Sequence, residues 1–161
     1  MFTLDGIRKF HQWTHACLNV ALDYLATIPA TDYAKEVPGF GFPTLRHQVL
    51  HILNCEGVWV HRLRGIAYTD RKPADFPGIA DARLMQREVS DQTLAYLASL
   101  TDRQLNLDTE VRISDEDTAF RTPAFVLHHV FTHTFHHKGQ IVAMCRVLGH
   151  PAPYSDLIQF E

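Results

Sequence analysis

Long apolar runs are missing from this chain, and so are runs of charge of either sign. The hydrophobic stretches are short and broken by charge or histidine, so no segment reads as a membrane span. Charged residues make up 20% of the 161 residues and the formal net charge is -3, which offers no electrostatic footprint for nucleic acid or an anionic membrane. The opening MFTLDGIRKF lacks the basic-then-apolar order of a secretory signal, and the expectation is a cytoplasmic protein. Cysteine is scarce. Cys17, Cys55 and Cys145 are odd in number, widely spaced and without a C-x-x-C pair, which argues against a zinc ribbon or dithiol redox motif and suits buried thiols in a reducing compartment. The E-x-x-H of di-iron bundles, H-E-x-x-H, a serine-hydrolase elbow and a phosphate loop are all absent. Without a repeat, a low-complexity tract or a linker, a second domain has no place to begin, and one domain over residues 1–161 is expected. A chain of this length can bury an adequate core unaided, so a metal here need not be a structural staple.

What is present is helical patterning. Leu4, Ile7, Trp13, Cys17, Leu18, Ala21, Leu22 and Leu25 recur mostly at three- and four-residue steps, predicting a helix from about Leu4 to Ile28 that Pro29 stops. After Pro38, Gly39, Gly41 and Pro43, a second helix is predicted from Thr44 to about Arg64, with Gly65 as its stop and Leu45, Val49, Ile52, Leu53, Val60 and Leu63 as its stripe. Tyr68 to Gly78 reads as a loop. Asp81 is the expected cap of a third helix, about Asp81 to Leu100, with Leu84, Leu94, Leu97 and Leu100 inward. Residues 101–120 read either as a loop or as a short extended excursion. The fourth helix is the best marked, with Thr122 as cap, Pro123 at the first position and Gly149 and Pro151 as the stop. Gly139 within it suggests a close helix contact. Four long helices with few strand signals predict an all-α antiparallel four-helix bundle.

Histidine is the compositional anomaly, with eleven residues, five of them between His128 and His137. At about 100° per residue, His133, His137 and Gln140 fall within or beside the apolar sector of Val126, Val130, Ile141, Met144 and Leu148, so the two histidines point inward. Side chains four apart on a helix lie about 5 to 6 Å from one another, close enough for two imidazoles to share an ion. His128, His129 and His136 drift away from that sector. A third ligand must come from another helix, and the second segment offers His47 and His51 on a strip with Cys55 and Val58. Periodicity does not choose between these two.

The strings TLRHQVLHILNCEGVW and HHVFTHTFHHKGQI resemble the two hallmark segments of the DinB family of helical metalloproteins, and FHQWTH and LGHPAPYSDL are similar to that family's ends. The resemblance covers essentially the whole chain. It implies an up-down-down-up bundle and a divalent metal ion (nickel, zinc or iron) on one histidine of the second helix and two of an H-x-x-x-H ahead of [RK]-G-Q on the fourth. Those positions are His51, His133 and His137. The resemblance further implies a homodimer, and chemistry ranging from S-transfer of a small thiol to an electrophile to metal-dependent isomerisation or hydrolysis.

Three neutral imidazoles leave the ion's charge uncompensated and a position open, the arrangement of a catalytic site. The leading expectation is therefore a metal-dependent thiol S-transferase acting on a small-molecule electrophile held near Trp13 and Trp59. The alternatives are a metal-dependent hydrolase, or a non-catalytic, stress-responsive metal-binding bundle. Glu56, Gln140 and His47 are candidate supporting or proton-transfer groups, Gln140 by fixing an imidazole tautomer. A second apolar sector on the fourth helix, Leu127, Phe131, Phe135 and Val142, is expected to face a second copy of the chain.

Overall fold

The computed structural model describes residues 1–114 and 116–160; residues 115 and 161, which fall in the open stretch 101–120 and at the end of the expected domain, lie outside them. Helices α1 (Leu4–Leu25), α3 (Leu45–Leu63), α4 (Ile79–Ala98) and α6 (Pro123–Val147) dominate the chain, joined by the short α2 (Ala30–Tyr33) and α5 (Asp102–Leu105). Between α5 and α6 stand two antiparallel strands, β1 (Thr109–Arg112) and β2 (Thr118–Arg121), with Glu110 opposite Phe120 and Val111 opposite Ala119. The chain is thus mostly helical with a small two-stranded sheet. That amends the all-α expectation, and the β-branched Val111, 2% exposed, anchors the hairpin.

The helix ends follow their local chemistry. Thr3, Thr44 and Thr122 each accept a backbone N–H of the first turn, from Gly6, His47 and Phe125 at 3.1, 3.0 and 3.2 Å. Gly65 and Gly149 take positive φ of 67° and 84° just past α3 and α6, conformations that L side chains rarely adopt. Three expectations fail in detail. Asp81 does not cap α4: the helix begins two residues earlier and the Asp81 carboxylate accepts the N–H of Gly78 at 3.2 Å. Leu84, expected inward, is 60% exposed, and α4 instead buries Ala82, Met85, Val89, Thr93, Tyr96 and Leu97. Gly139 marks no close contact either, since a methyl group added there would meet nothing within 4 Å.

α3 packs on both α4 and α6, and α1 packs on the same two helices. The apolar interior falls into two clusters. One joins Leu18, Leu22 and Leu25 of α1 to Val49, Ile52 and Leu53 of α3, Met85 and Val89 of α4, and Ile141 and Met144 of α6. The other joins Ile7 of α1 to Val60 of α3, Tyr96 and Leu97 of α4, and Leu127, Val130 and Phe131 of α6. Between the two clusters, His11, Thr14 and His15 interrupt α1, Glu56 interrupts α3, Thr93 interrupts α4, and His133, Thr134 and His137 interrupt α6. A polar layer therefore crosses the interior.

Phe10 of α1 stands edge-on to Phe131 with ring centroids 5.1 Å apart and stacks near Phe135 at 6.5 Å. Leu127 and Phe131 are 0% and 1% exposed within the chain itself. Within the chain α1 thus covers Leu127 and Phe131 of the second apolar sector of α6, so the burial of these two needs no second copy, while Phe135 and Val142 of the same sector stay half-buried. Lys138, directly after His137, is buried and donates through Nζ to the carbonyl and hydroxyl oxygens of Ser155, and His150 Nε2 meets Asp32 Oδ2 at 2.8 Å, so the segment after α6 is tied back to the helices. No helix of the described residues is long and apolar enough to cross a membrane.

α3 carries residues of every polar group described below, so its cap bears on the whole interior. Thr44→Ala is expected to lower unfolding free energy by about 1 kcal/mol, with Thr44→Ser recovering most of it; urea melts of the three proteins measure this, and an unchanged midpoint for the alanine variant would refute it.

Candidate metal centre

His133 and His137 lie one turn apart on α6, and α3 brings His51 to them. One nitrogen from each ring lies within 4.8 Å of the others. The ring centroids are separated by 4.7 Å for His51 and His133, 4.5 Å for His51 and His137, and 4.4 Å for His133 and His137. The Nε2 atoms of His51 and His133 stand 2.9 Å apart. Those two nitrogens can share at most one proton, so at least one of them presents a lone pair.

Gln48, fully buried one turn before His51, sets the state of the third ring. Its Nε2 donates to the carbonyl oxygen of Phe42 at 2.8 Å and to Gln140 Oε1 at 2.9 Å. Its Oε1 therefore faces His137, whose Nδ1–H donates to it at 2.8 Å. With Nδ1 engaged, His137 has Nε2 left as a lone pair. Gln140 in turn donates to His136 Nε2 at 2.8 Å. Gln140 thus acts on the tautomer of His137 through Gln48, which the sequence reading overlooked. A signal was available: Gln48 sits at helical spacing between Leu45 and Ile52, a polar residue on an apolar stripe.

Phe42, in the connection before α3, lies nearly parallel over His51 at 3.9 Å and edge-on to His137 at 5.8 Å. This cover too was not foreseen. Burial holds all three imidazoles below their ordinary value, and the neighbouring rings add to this for two of them. His133 is pushed down to about 3 by burial and then by His137 and His51, and His137 down to about 4 by burial and then by His51 and His136. His51 is lowered by burial, against the opposing charge of Asp70. All three are neutral donors at neutral pH, and His133 Nδ1 is buried without a hydrogen-bond partner among the described residues. A set of neutral imidazoles suits zinc, nickel or iron, so the residues present fit a divalent ion.

The remaining candidates lie elsewhere. His47 is half-buried and outside the three-histidine group. His129 stands edge-on to Trp59 at 5.3 Å, and His128 packs against Phe2 at 4.4 Å. Trp13 lies under Lys9 and Trp59 under Arg62, with the cations 5.4 and 5.0 Å from the rings.

Glu56 is neither exposed nor beside His51, His133 and His137. It is 3% exposed and held by a group of its own. Its Oε1 accepts from Thr93 Oγ1 at 2.7 Å and lies 3.1 Å from His11 Nε2, and its Oε2 lies 3.0 Å from His15 Nε2. Burial alone would raise the Glu56 carboxyl, but the charge of His15 and hydrogen bonds from His11 and His15 hold it far below the ordinary carboxylate range. Burial likewise works against a charged His15, yet Glu56 outweighs it and raises that imidazole. His11 and His15 belong to the FHQWTH string, but their meeting with Glu56 requires α1 to face α3 across the interior of the bundle, between α4 and α6.

These features define a mostly helical protein whose two long helices α3 and α6 bring three histidines together at a centre able to hold a metal ion. The sequence matches the family model described as DinB family over residues 1–161, and the chain belongs to the DinB family. A solved structure of a DinB-like protein, YjoA from Bacillus subtilis, is similar at 20% identity over 91% of this chain and 96% of that one, with a TM-score of 0.61, a likeness of fold. No curated protein matches at a significant level.

Opposite shifts in the two histidine groups give the metal-free protein a stability maximum near the unperturbed imidazole value of 6.5. Below it, the unfolded chain binds protons that folded His133 and His137 refuse, so stability is lost as pH falls from 6.5 toward about 3. Above it, the unfolded chain has released the proton that folded His15 keeps, so that contribution is lost as pH rises through the raised value. Melting temperatures in chelator should trace both limbs, with His133→Leu flattening the acid one and His15→Asn the alkaline one; a profile unchanged by either substitution would contradict this assignment.

Proposed function

We infer that the chain is one domain, a four-helix bundle of up-down-down-up order, that holds one divalent ion on His51, His133 and His137 and uses it to activate a small thiol for attack on an electrophilic small molecule. The observation that carries this reading is the convergence of three neutral imidazoles, one with its tautomer set by Gln48. When bound, such an ion supplies Lewis-acid chemistry, lowering the pKa of a thiol or water that it holds. The side chains of this chain supply the rest. Gln48 orients His137, Gln140 orients Gln48, and Phe42 shields the face of His51 from water. Glu56, the carboxylate closest in sequence to His51, is committed to His11, His15 and Thr93 and offers no base at this centre. The charge of Asp70 does reach His51, so the preference for a thiol over water rests on the family resemblance. Zinc, nickel and iron all suit the donors, and a homodimer is part of the proposal on the strength of the resemblance alone.

Elemental analysis of untagged protein is expected to show one ion per chain lost in each of His51→Ala, His133→Ala and His137→Ala. Gln48→Leu should weaken metal affinity about 10- to 100-fold with the fold intact. Conjugation of small thiols to a chloronitrobenzene electrophile should fall with the metal; an apo protein of full activity, or metal content indifferent to all three alanine variants, would overturn the reading.

A further inference from the structure

His11, His15 and Glu56 form a second convergent group, apart from the three-histidine centre. Glu56 follows His51 on α3 by five residues, about 7.5 Å along the axis and about 140° around it, so the two groups address different sides of the same helix. One ligand-type atom from each of His11, His15 and Glu56 lies within 4.8 Å of the others. Both imidazoles present Nε2 to the same carboxylate, and they sit four apart on α1 as His133 and His137 do on α6. Around an ion with ligands at about 2.1 Å, neighbouring tetrahedral donors lie about 3.4 Å apart. The separations to one shared oxygen, 3.1 Å from His11 Nε2 and 3.2 Å from His15 Nε2 to Glu56 Oε1, are within a few tenths of that edge.

The group also has an entrance and an outer support. The His15 side chain is 12% exposed and lines a surface cavity of about 300 Å³ with Asn19, Arg83, Gln86 and Asp91. Gln86 places its amide nitrogen 3.4 Å from His15 Nδ1 and donates to Asn19 Oδ1 at 2.9 Å; turning the Gln86 and Asn19 amides over would set the Gln86 oxygen to accept from Nδ1–H once Nε2 is given to an ion. Thr93 Oγ1, 2.7 Å from Glu56 Oε1, fixes the carboxylate in turn.

We propose that His11, His15 and Glu56 constitute a second divalent-cation site, which takes zinc or a similar transition ion through two imidazole Nε2 atoms and a carboxylate oxygen. The exchange is one of protons for an ion: each proton that an imidazole Nε2 now directs at Glu56 leaves to solvent or moves to Nδ1, and the freed lone pairs, with the carboxylate, hold the cation. No oxidation or reduction is involved.

The test counts ions. Untagged protein is stripped with chelator, loaded with cobalt(II) or zinc, desalted, and measured by elemental analysis and by the visible absorption of cobalt(II). Wild type is expected to retain two equivalents, and the His133→Ala/His137→Ala double variant, whose second group is untouched, one equivalent. The His11→Asn/His15→Asn double variant keeps amide donors for Glu56 and should also retain one, bound at the three-histidine centre. Wild type with a single equivalent that the α6 variant loses entirely would overturn the proposal, whether or not the asparagine variant folds. Absence of metal from the three-histidine centre would show instead as wild type and the α6 variant both holding one equivalent, which the α1 substitutions remove.

Discussion

The hydrogen bond from His137 Nδ1 to Gln48 Oε1 joins α6 to α3 at the point where their histidines meet, and much of the centre's chemistry depends on it. An imidazole can present a lone pair at either nitrogen, and only a partner on the other one decides which. Gln48 is that partner because both hydrogens of its amide are taken, by the Phe42 carbonyl and by Gln140. The same amide therefore ties together the loop that covers His51, the helix that bears it and the helix that bears the other two rings. Replacing it by an apolar residue of similar volume would leave the packing largely in place and the tautomer unassigned.

The polar layer that divides the interior has an energetic logic. Buried polar groups are costly unless paired, yet each long helix contributes at least one to the zone between the two apolar clusters. The layer answers the cost in two ways. Around Glu56 it supplies a full set of donors, so that the carboxylate stays charged although buried. Around His133 it does the reverse: the rings crowd one another, suppress protonation, and leave His133 Nδ1 without a partner among the described residues. One group is arranged to keep charge within the interior and the other to exclude it, and α3 carries residues of both on different sides.

Legibility in the sequence followed the range of the forces involved. Thr44, Thr122, Gly65 and Gly149 were readable because a cap or a positive-φ stop acts within one turn. The H-x-x-x-H of His133 and His137 was readable because helical spacing places both rings on one face. Asp81 and Leu84 misled for the same reason inverted: a carboxylate three residues into a helix serves the first turn as well as one at the cap, and a leucine on a four-sided helix need not be inward. Glu56 was legible as a candidate but not in its setting, since His11 and His15 stand more than forty residues away. The second apolar sector of α6 was seen, but a cover from α1 and a cover from another chain look alike in one dimension.

By itself, then, the amino-acid order determined where the long helices lie, which stripes are apolar, and that His133 and His137 act as a pair, because each of these depends on geometry repeated every few residues. Between His47 and His51 periodicity was silent, and only the resemblance favoured His51. The docking of α3 on α6 brought His51 to the pair, set Gln48 against His137 and laid Phe42 over the ring. The docking of α1 against α4 and α6, which sets it across the interior from α3, enclosed Glu56 between two histidines. Those outcomes belong to tertiary structure, because they depend on how two helices are rotated about their own axes when they meet, and that rotation is settled by all of their packed side chains together.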